Sequence, residues 1–138
     1  MGGYFEKYYL VLQDTDFFYI PLQKIMEKSI DQIRPQMRKG MLEYCILLML
    51  SQREAYVSSI IDAFRSGGMD VVEGTLYPLL IRLKNQGWLD CRWEESPLGP
   101  PRKYYVITAE GREILAQLDA VWNELESTVK TLKDPDSL

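Results

Sequence analysis

The chain has 138 residues, 46 % of them hydrophobic, with a formal net charge of −4 and no histidine. That length suits one domain, or a domain with an appendage, and the apolar fraction is enough for a core. No apolar run approaches the roughly 20 residues of a membrane span. Glu6 and Lys7, near the start, break up anything like a secretory signal. Without histidine, neither a His-based catalytic triad nor the usual zinc ligand set can be assembled. No G-K-[S/T] follows the glycines at 67, 68 and 74, so there is no phosphate loop. Neither an enzyme nor a cofactor is expected.

Residues 1–36 hold seven of the sixteen aromatic residues: Tyr4, Phe5, Tyr8, Tyr9, Phe17, Phe18 and Tyr19. Such density suggests an ordered arm, because free chains are poor in aromatics. Asp14-Thr15-Asp16 reads as a turn, and Leu22 to Ile33 as a helix ending near Pro35. Met41 to Leu50 is apolar almost all round, so that helix must be covered on more than one side. Tyr56 to Arg65 reads as a short helix with Ile60, Ile61 and Phe64 inward, stopped by Gly67-Gly68.

The most informative stretch is E-G-T-L-Y-P-L-L-I-R-L-K-N-Q-G-W, from Glu73 to Trp88. Leu76, Leu79, Leu80 and Leu83 fall at i, i+3, i+4 and i+7, one side of a helix. Gly74, Pro78, Ile81, Arg82 and Asn85 lie opposite, flanked by Thr75 and Tyr77, and Gly87 is placed to end the helix. An exposed side of glycine, hydroxyls and one arginine suits close approach to something flat or grooved. Val72 cannot cap the first turn, which leaves Pro78 either in that turn or further in, where it would kink the helix.

Strand signals follow. Leu89, Cys91 and Trp93 alternate with Asp90, Arg92 and Glu94. The loop Ser96-Pro97-Leu98-Gly99-Pro100-Pro101 then leads into Arg102 to Ile107 as the partner strand. Thr108 caps a last helix with Glu110 in its first turn. Two apolar rows run along that helix. Leu118, Val121, Leu125 and Leu132 form one, and Leu115, Trp122 and Val129 the other. One row is expected against the chain's own domain and one against a partner. The competing reading packs both inside the monomer.

Helix, helix, helix, hairpin, helix is the order of a winged helix-turn-helix domain, mainly α with a small β-hairpin. The residues that fill it resemble a known family. G-T-L-Y-P-L-L-I-R-L at 74–83, G-W-L at 87–89, E-E-S-P-L-G-P-P-R-K-Y-Y at 94–105 and T-A-E-G at 108–111 look like PadR-type transcriptional regulators. K-G-M-L-E-Y-C-I-L-L-M-L-S at 39–51 is similar to that family's first helix. The resemblance implies a cytoplasmic homodimer on a palindromic operator in double-stranded DNA. It implies a repressor whose last helix makes the dimer, released by a small aromatic or drug-like effector. The chain departs from the family's pattern at Tyr56-Val57-Ser58, at Val72 and in the extra residues 1–36. The organisation is thus an extension over 1–36, a winged helix-turn-helix over 37–108, a dimerisation helix over 109–133 and a tail over 134–138.

The major groove admits a helix whose first residues point at base edges. Gly74 lets backbone come close, Thr75 can bond a phosphate or a base, and Tyr77 offers a hydroxyl to the sugar–phosphate edge. Pro78 and Ile81 can meet thymine methyls. Arg82 sits a turn late and suits a phosphate, or else pairs with an acid. Arg102 and Lys103 flank a proline-stiffened tip that can border the minor groove. Of Tyr104 and Tyr105, one faces the core and the other is free for DNA. Arg38 and Lys39 are further phosphate candidates.

The dimer contacts expected on the last helix are Leu115, Leu118, Val121, Trp122, Leu125 and Val129. Met41, Tyr44 and Trp122 are candidates to line an effector pocket, with core packing as the alternative for Trp122. The acidic total does not exclude DNA. Residues 74–107 carry five basic against three acidic side chains, whereas 108–138 carry three against seven, and local field governs phosphate attraction. Cys45 and Cys91 read as reduced, packed thiols. A winged helix used only for protein–protein contact is the alternative function, favoured by the acidic total and the aromatic first segment.

Overall fold

In the computed structural model the described residues are 8–13 and 16–137, with side chains from 29 to 136. The turn expected at Asp14-Thr15 lies outside them, as do Tyr4 and Phe5. Contacts divide the chain into two units, Met1–Met41 and Leu42–Leu138.

In the first unit, strands β1 (Tyr8–Gln13) and β2 (Asp16–Pro21) pair antiparallel, Val11 opposite Phe18. No strands were expected here, although aromatic and β-branched residues favour them. Helix α1 (Leu22–Gln52) follows as a single 31-residue helix that runs through Pro35. The expected break near Pro35 does not occur. Proline removes one amide donor, the one that would reach the Asp31 carbonyl. Residues 29–36 are all exposed, so that carbonyl is left open to solvent and not shut in a dry interior, and the remaining turns carry the helix onward.

The second unit is built on the apolar end of α1. Leu42, Ile46, Leu47 and Leu50 are buried against α2 (Val57–Ser66) through Ile60 and Phe64, and against α3 (Glu73–Asn85) through Leu76, Leu80 and Leu83. Of the four leucines of α3, Leu76, Leu80 and Leu83 are fully enclosed and Leu79 is partly so, as their spacing predicts. Both short helices end in the same way. Gly68 (φ 86°) and Gly87 (φ 79°) take the left-handed conformation just past the helix, where a Cβ would be strained. The Met69 and Trp88 amides then bond back to Phe64 and Leu83 carbonyls at 2.9 and 3.0 Å.

Strands β3 (Leu89–Glu94) and β4 (Arg102–Ile107) form the hairpin, with Leu89 opposite Ile107 and Trp93 opposite Lys103. The inward row becomes exposed along the strand, from Leu89 at 2 % to Trp93 at 65 %. Trp93 was expected on the apolar side and stands on that side, but the hairpin has by then run past the body that would cover it. Helix α4 (Ala109–Lys133) starts from Thr108, whose hydroxyl accepts from the Gly111 amide at 3.0 Å and donates to the Gly87 carbonyl at 2.6 Å. A second bond ties α4 to α1: the Tyr44 hydroxyl donates to Asp119 at 2.5 Å. That bond, with burial, pushes the Tyr44 phenol up to about 12.

The junction of α4 with the hairpin leaves no room at Gly111. A Cβ there would lie 2.1 Å from the Trp88 carbonyl oxygen and 2.8 Å from Ile107 Cγ1. Alanine normally favours a helix over glycine by roughly 1 kcal/mol, but overpacking against backbone costs about 1–3 kcal/mol or more. Gly111→Ala is therefore expected to lower the denaturant midpoint, and a variant as stable as the parent would contradict this packing.

Candidate nucleic-acid interface

α3 buries its leucines and so turns Glu73, Gly74, Thr75, Tyr77, Pro78, Ile81 and Arg82 to the surface. Its N-cap, Val72, is extended and offers no side-chain acceptor; its carbonyl takes the Thr75 and Leu76 amides at 3.0 and 3.1 Å. Pro78 therefore stands in the second turn, and the helix continues through it. Apart from its chain neighbours and its own helix backbone, no heavy atom lies within 4 Å of where a Gly74 Cβ would be. The fold itself does not require a glycine at this position, unlike at Gly111.

The hairpin is held beside α3 by its base. Tyr105 is buried, and it exchanges two backbone hydrogen bonds with Ala55 in the link between α1 and α2, at 2.8 and 3.2 Å. The opposite face of the hairpin carries a ladder of cations and rings. Arg92 lies over Tyr104 (4.8 Å), Tyr104 meets Tyr56 edge-on (5.4 Å, 81°), and Arg102 lies over Tyr56 (4.9 Å). Arg92 also pairs with Glu54, its Nε 3.1 Å from Oε2, which holds the Glu54 carboxyl below its ordinary range. A hydrogen bond from Ser59 and the nearby Arg102 charge hold the Tyr56 phenol below its usual value. On the inner row, Lys103 lies 5.9 Å from the Trp93 ring centre and 5.4 Å from that of Tyr105. Contacts of this type hold a cation in place without neutralising it.

These elements enclose an open cleft of about 400 Å³. It is lined by the start of α2 (Tyr56, Val57, Ser58), the start of α3 (Glu73, Tyr77) and the hairpin (Trp93, Pro101, Arg102, Lys103, Tyr105). Of the residues singled out from sequence, the structure brings Tyr77, Arg102 and Lys103 to one cleft, with Gly74, Thr75 and Pro78 exposed on the adjoining helix. Tyr105 is the tyrosine that faces the core. Tyr104 is half-buried in the ladder beside Tyr56. Arg82 pairs with the Glu43 carboxylate of α1, the acid partner weighed against a phosphate. Arg38 is half-buried and Lys39 exposed on the part of α1 that belongs to the first unit.

Tyr56, Val57, Ser58, Glu73, Trp93 and Pro101 also line the cleft and are not among the candidates read from sequence. Tyr56 and Ser58 were noted only as a departure from a motif. An aromatic residue beside hydroxyls at a helix start was the signal available. On α4, Leu115 is 7 % exposed and packs in the chain's own core, so it has little surface left for a partner. Leu118 is partly buried there, but Val121, Trp122, Leu125, Val129 and Leu132 are all exposed. Neither row is wholly inward or wholly outward: each starts in the core, at Leu115 or Leu118, and emerges after Asp119. Tyr44 is engaged with Asp119, and Trp122 stands one turn further along α4.

Comparison with known proteins gives a consistent result. The family model described as the PadR-like transcriptional regulator family matches residues 46–117. A PadR-like transcription factor of Bacteroides fragilis is 52 % identical; the match covers 73 % of this chain and 98 % of that one, with a TM-score of 0.64. A PadR-like transcriptional regulator of Bacillus cereus is 40 % identical over 70 % of this chain and 95 % of its own, at a TM-score of 0.64. A Streptococcus transcriptional regulator is 36 % identical over 72 % and 98 %, at 0.66. The match of sequence along α1–α4 and of fold around the hairpin leads to one conclusion: this chain belongs to the PadR-like family of transcriptional regulators.

Proposed function

We propose that the chain acts as a cytoplasmic homodimeric repressor, without catalytic activity, on a palindromic operator, and that a small aromatic or drug-like effector releases it. The observation that carries this reading is the shared cleft. The exposed start of α3 and the cations Arg102 and Lys103 border one opening, with Gly74 free of any packing neighbour. A duplex would take α3 in the major groove, with Gly74, Thr75, Tyr77, Pro78 and Ile81 against bases and sugar–phosphate. The stiff tip would set Arg102 and Lys103 on the flanking backbone or in the minor groove. Tyr104 supports that tip through Tyr56, and Arg38 and Lys39 add phosphate contacts. Arg82 would have to leave Glu43 to join them.

The second half of α4 supports the dimer. Val121, Leu125 and Val129 are each about half exposed, at 48, 54 and 48 %, and an apolar stripe of that length calls for cover. A two-fold pairing through 109–133 buries it and repeats α3 about 34 Å away, one turn of duplex. Residues 1–36 act as an extension to this module. Trp122, at 38 % exposed and one turn beyond the Asp119 that Tyr44 bonds, would report an effector bound beside Tyr44.

Replacing Arg102 and Lys103 by alanine is expected to weaken operator binding without loss of folding. The log–log salt slope, near −0.9 per phosphate, should shrink in magnitude by about 2. Parent protein with no salt-dependent DNA binding would favour the protein–protein reading. Leu125→Glu with Val129→Glu should give monomers in sedimentation velocity with an unchanged circular dichroism spectrum; persistent dimers would remove α4 from the interface. Titration with phenolic and cationic aromatic compounds should change tryptophan fluorescence, an effect Trp122→Phe abolishes. Silence across both sets counts against an effector at this position.

A further inference from the structure

Glu73 is an acid in the wrong place for a surface that only holds phosphates. It is the first residue of α3, it is exposed, and it lines the same cleft as Arg102 and Lys103. Several acids of this unit are ion-paired, Asp62 and Asp70 with Arg65, Glu43 with Arg82, Glu54 and Glu94 with Arg92, Glu126 with Lys130, but Glu73 is the one acid among the residues that line the cleft. Among the described residues no cation lies within ion-pair distance of Glu73. An unpaired carboxylate facing a polyanion is repelled unless a donor meets it.

The first residues of a reading helix are those that reach base edges, and the edge that offers a donor to a carboxylate is cytosine, through its N4 amine. Adenine also presents an amine, but beside the N7 acceptor, which repels a second acceptor. Gly74, next in the chain and open to solvent, leaves space for the groove to come within reach. We infer that Glu73 is a specificity-determining residue, accepting a hydrogen bond from cytosine N4 in each half-site of the DNA. This rests on the DNA-reading function proposed above.

An acid at this position also complements the helix dipole, so stability alone cannot test the inference. The test is binding-site selection from a randomised duplex pool, using the full chain as parent, Glu73→Gln and Glu73→Ala, each checked for an unchanged melting transition. The parent should select a palindrome with cytosine at one position of each half. Glu73→Ala should lose about tenfold discrimination there, and only there, while binding random DNA no more weakly. Glu73→Gln should turn the preference at that position towards adenine, the base a side-chain amide pairs with. Identical base preferences for all three proteins, or a change at a position where the parent does not select cytosine, would overturn the assignment while leaving the DNA-reading function standing. A parent that selects no motif would overturn both.

Discussion

Two backbone hydrogen bonds between Ala55 and Tyr105 decide where the hairpin stands. A two-stranded hairpin is marginal by itself. Here its base gains a third partner from the α1–α2 link, and the Tyr105 ring is buried beneath it. That attachment sets the distance between β4 and the start of α3, and so the width of the cleft. The cations beyond it inherit the same frame, because Arg102 rests on Tyr56 and Lys103 on Trp93 and Tyr105. A cation held over a ring has lost freedom before any partner arrives, which lowers the cost of ordering it on binding.

The contrast between Gly74 and Gly111 separates two kinds of constraint. Gly111 is required by the chain's own packing, since the Trp88 carbonyl occupies the space a methyl group would need. Gly74 meets no neighbour at all, yet it stands at the head of the helix that borders the cationic cleft. Gly74 has neither a crowding neighbour nor a positive φ, so neither packing nor backbone conformation in this chain calls for glycine there. Glu73 beside it is the one acid lining a cleft that also holds Arg102 and Lys103, and among the described residues no cation comes within ion-pair distance of it.

Charge is distributed by the same economy of contacts. The total of −4 describes the chain poorly as a partner for a polyanion. Arg82 and Arg92 are matched by Glu43 and Glu54, whereas Arg102 and Lys103 sit over aromatic rings, which leave a cation its charge. The acidic surplus lies in 108–138, half of it on α4, whose exposed large apolar residues begin at Val121, and half in the tail.

Much was legible along the chain because it depends on neighbours a few residues apart. The leucine spacing of α3, the glycines that end α2 and α3, the Thr108 cap and the alternation of β4 all involve contacts within one or two turns. The identity of the core tyrosine, the pairing of Arg82 with Glu43 and the role of Tyr56 depended on residues 39 to 50 positions away and needed the folded chain. Pro35 was misread because propensity describes an average environment, and exposed backbone can give its lost bond to water. The apolar rows of α4 are visible in the sequence, but their expected division into one inward and one outward row is not seen, because burial depends on where the body of the domain ends. Sequence determined which faces exist and what chemistry they carry. Only tertiary structure decided which of them meet, because periodicity is a property of one segment and a cleft is a property of several.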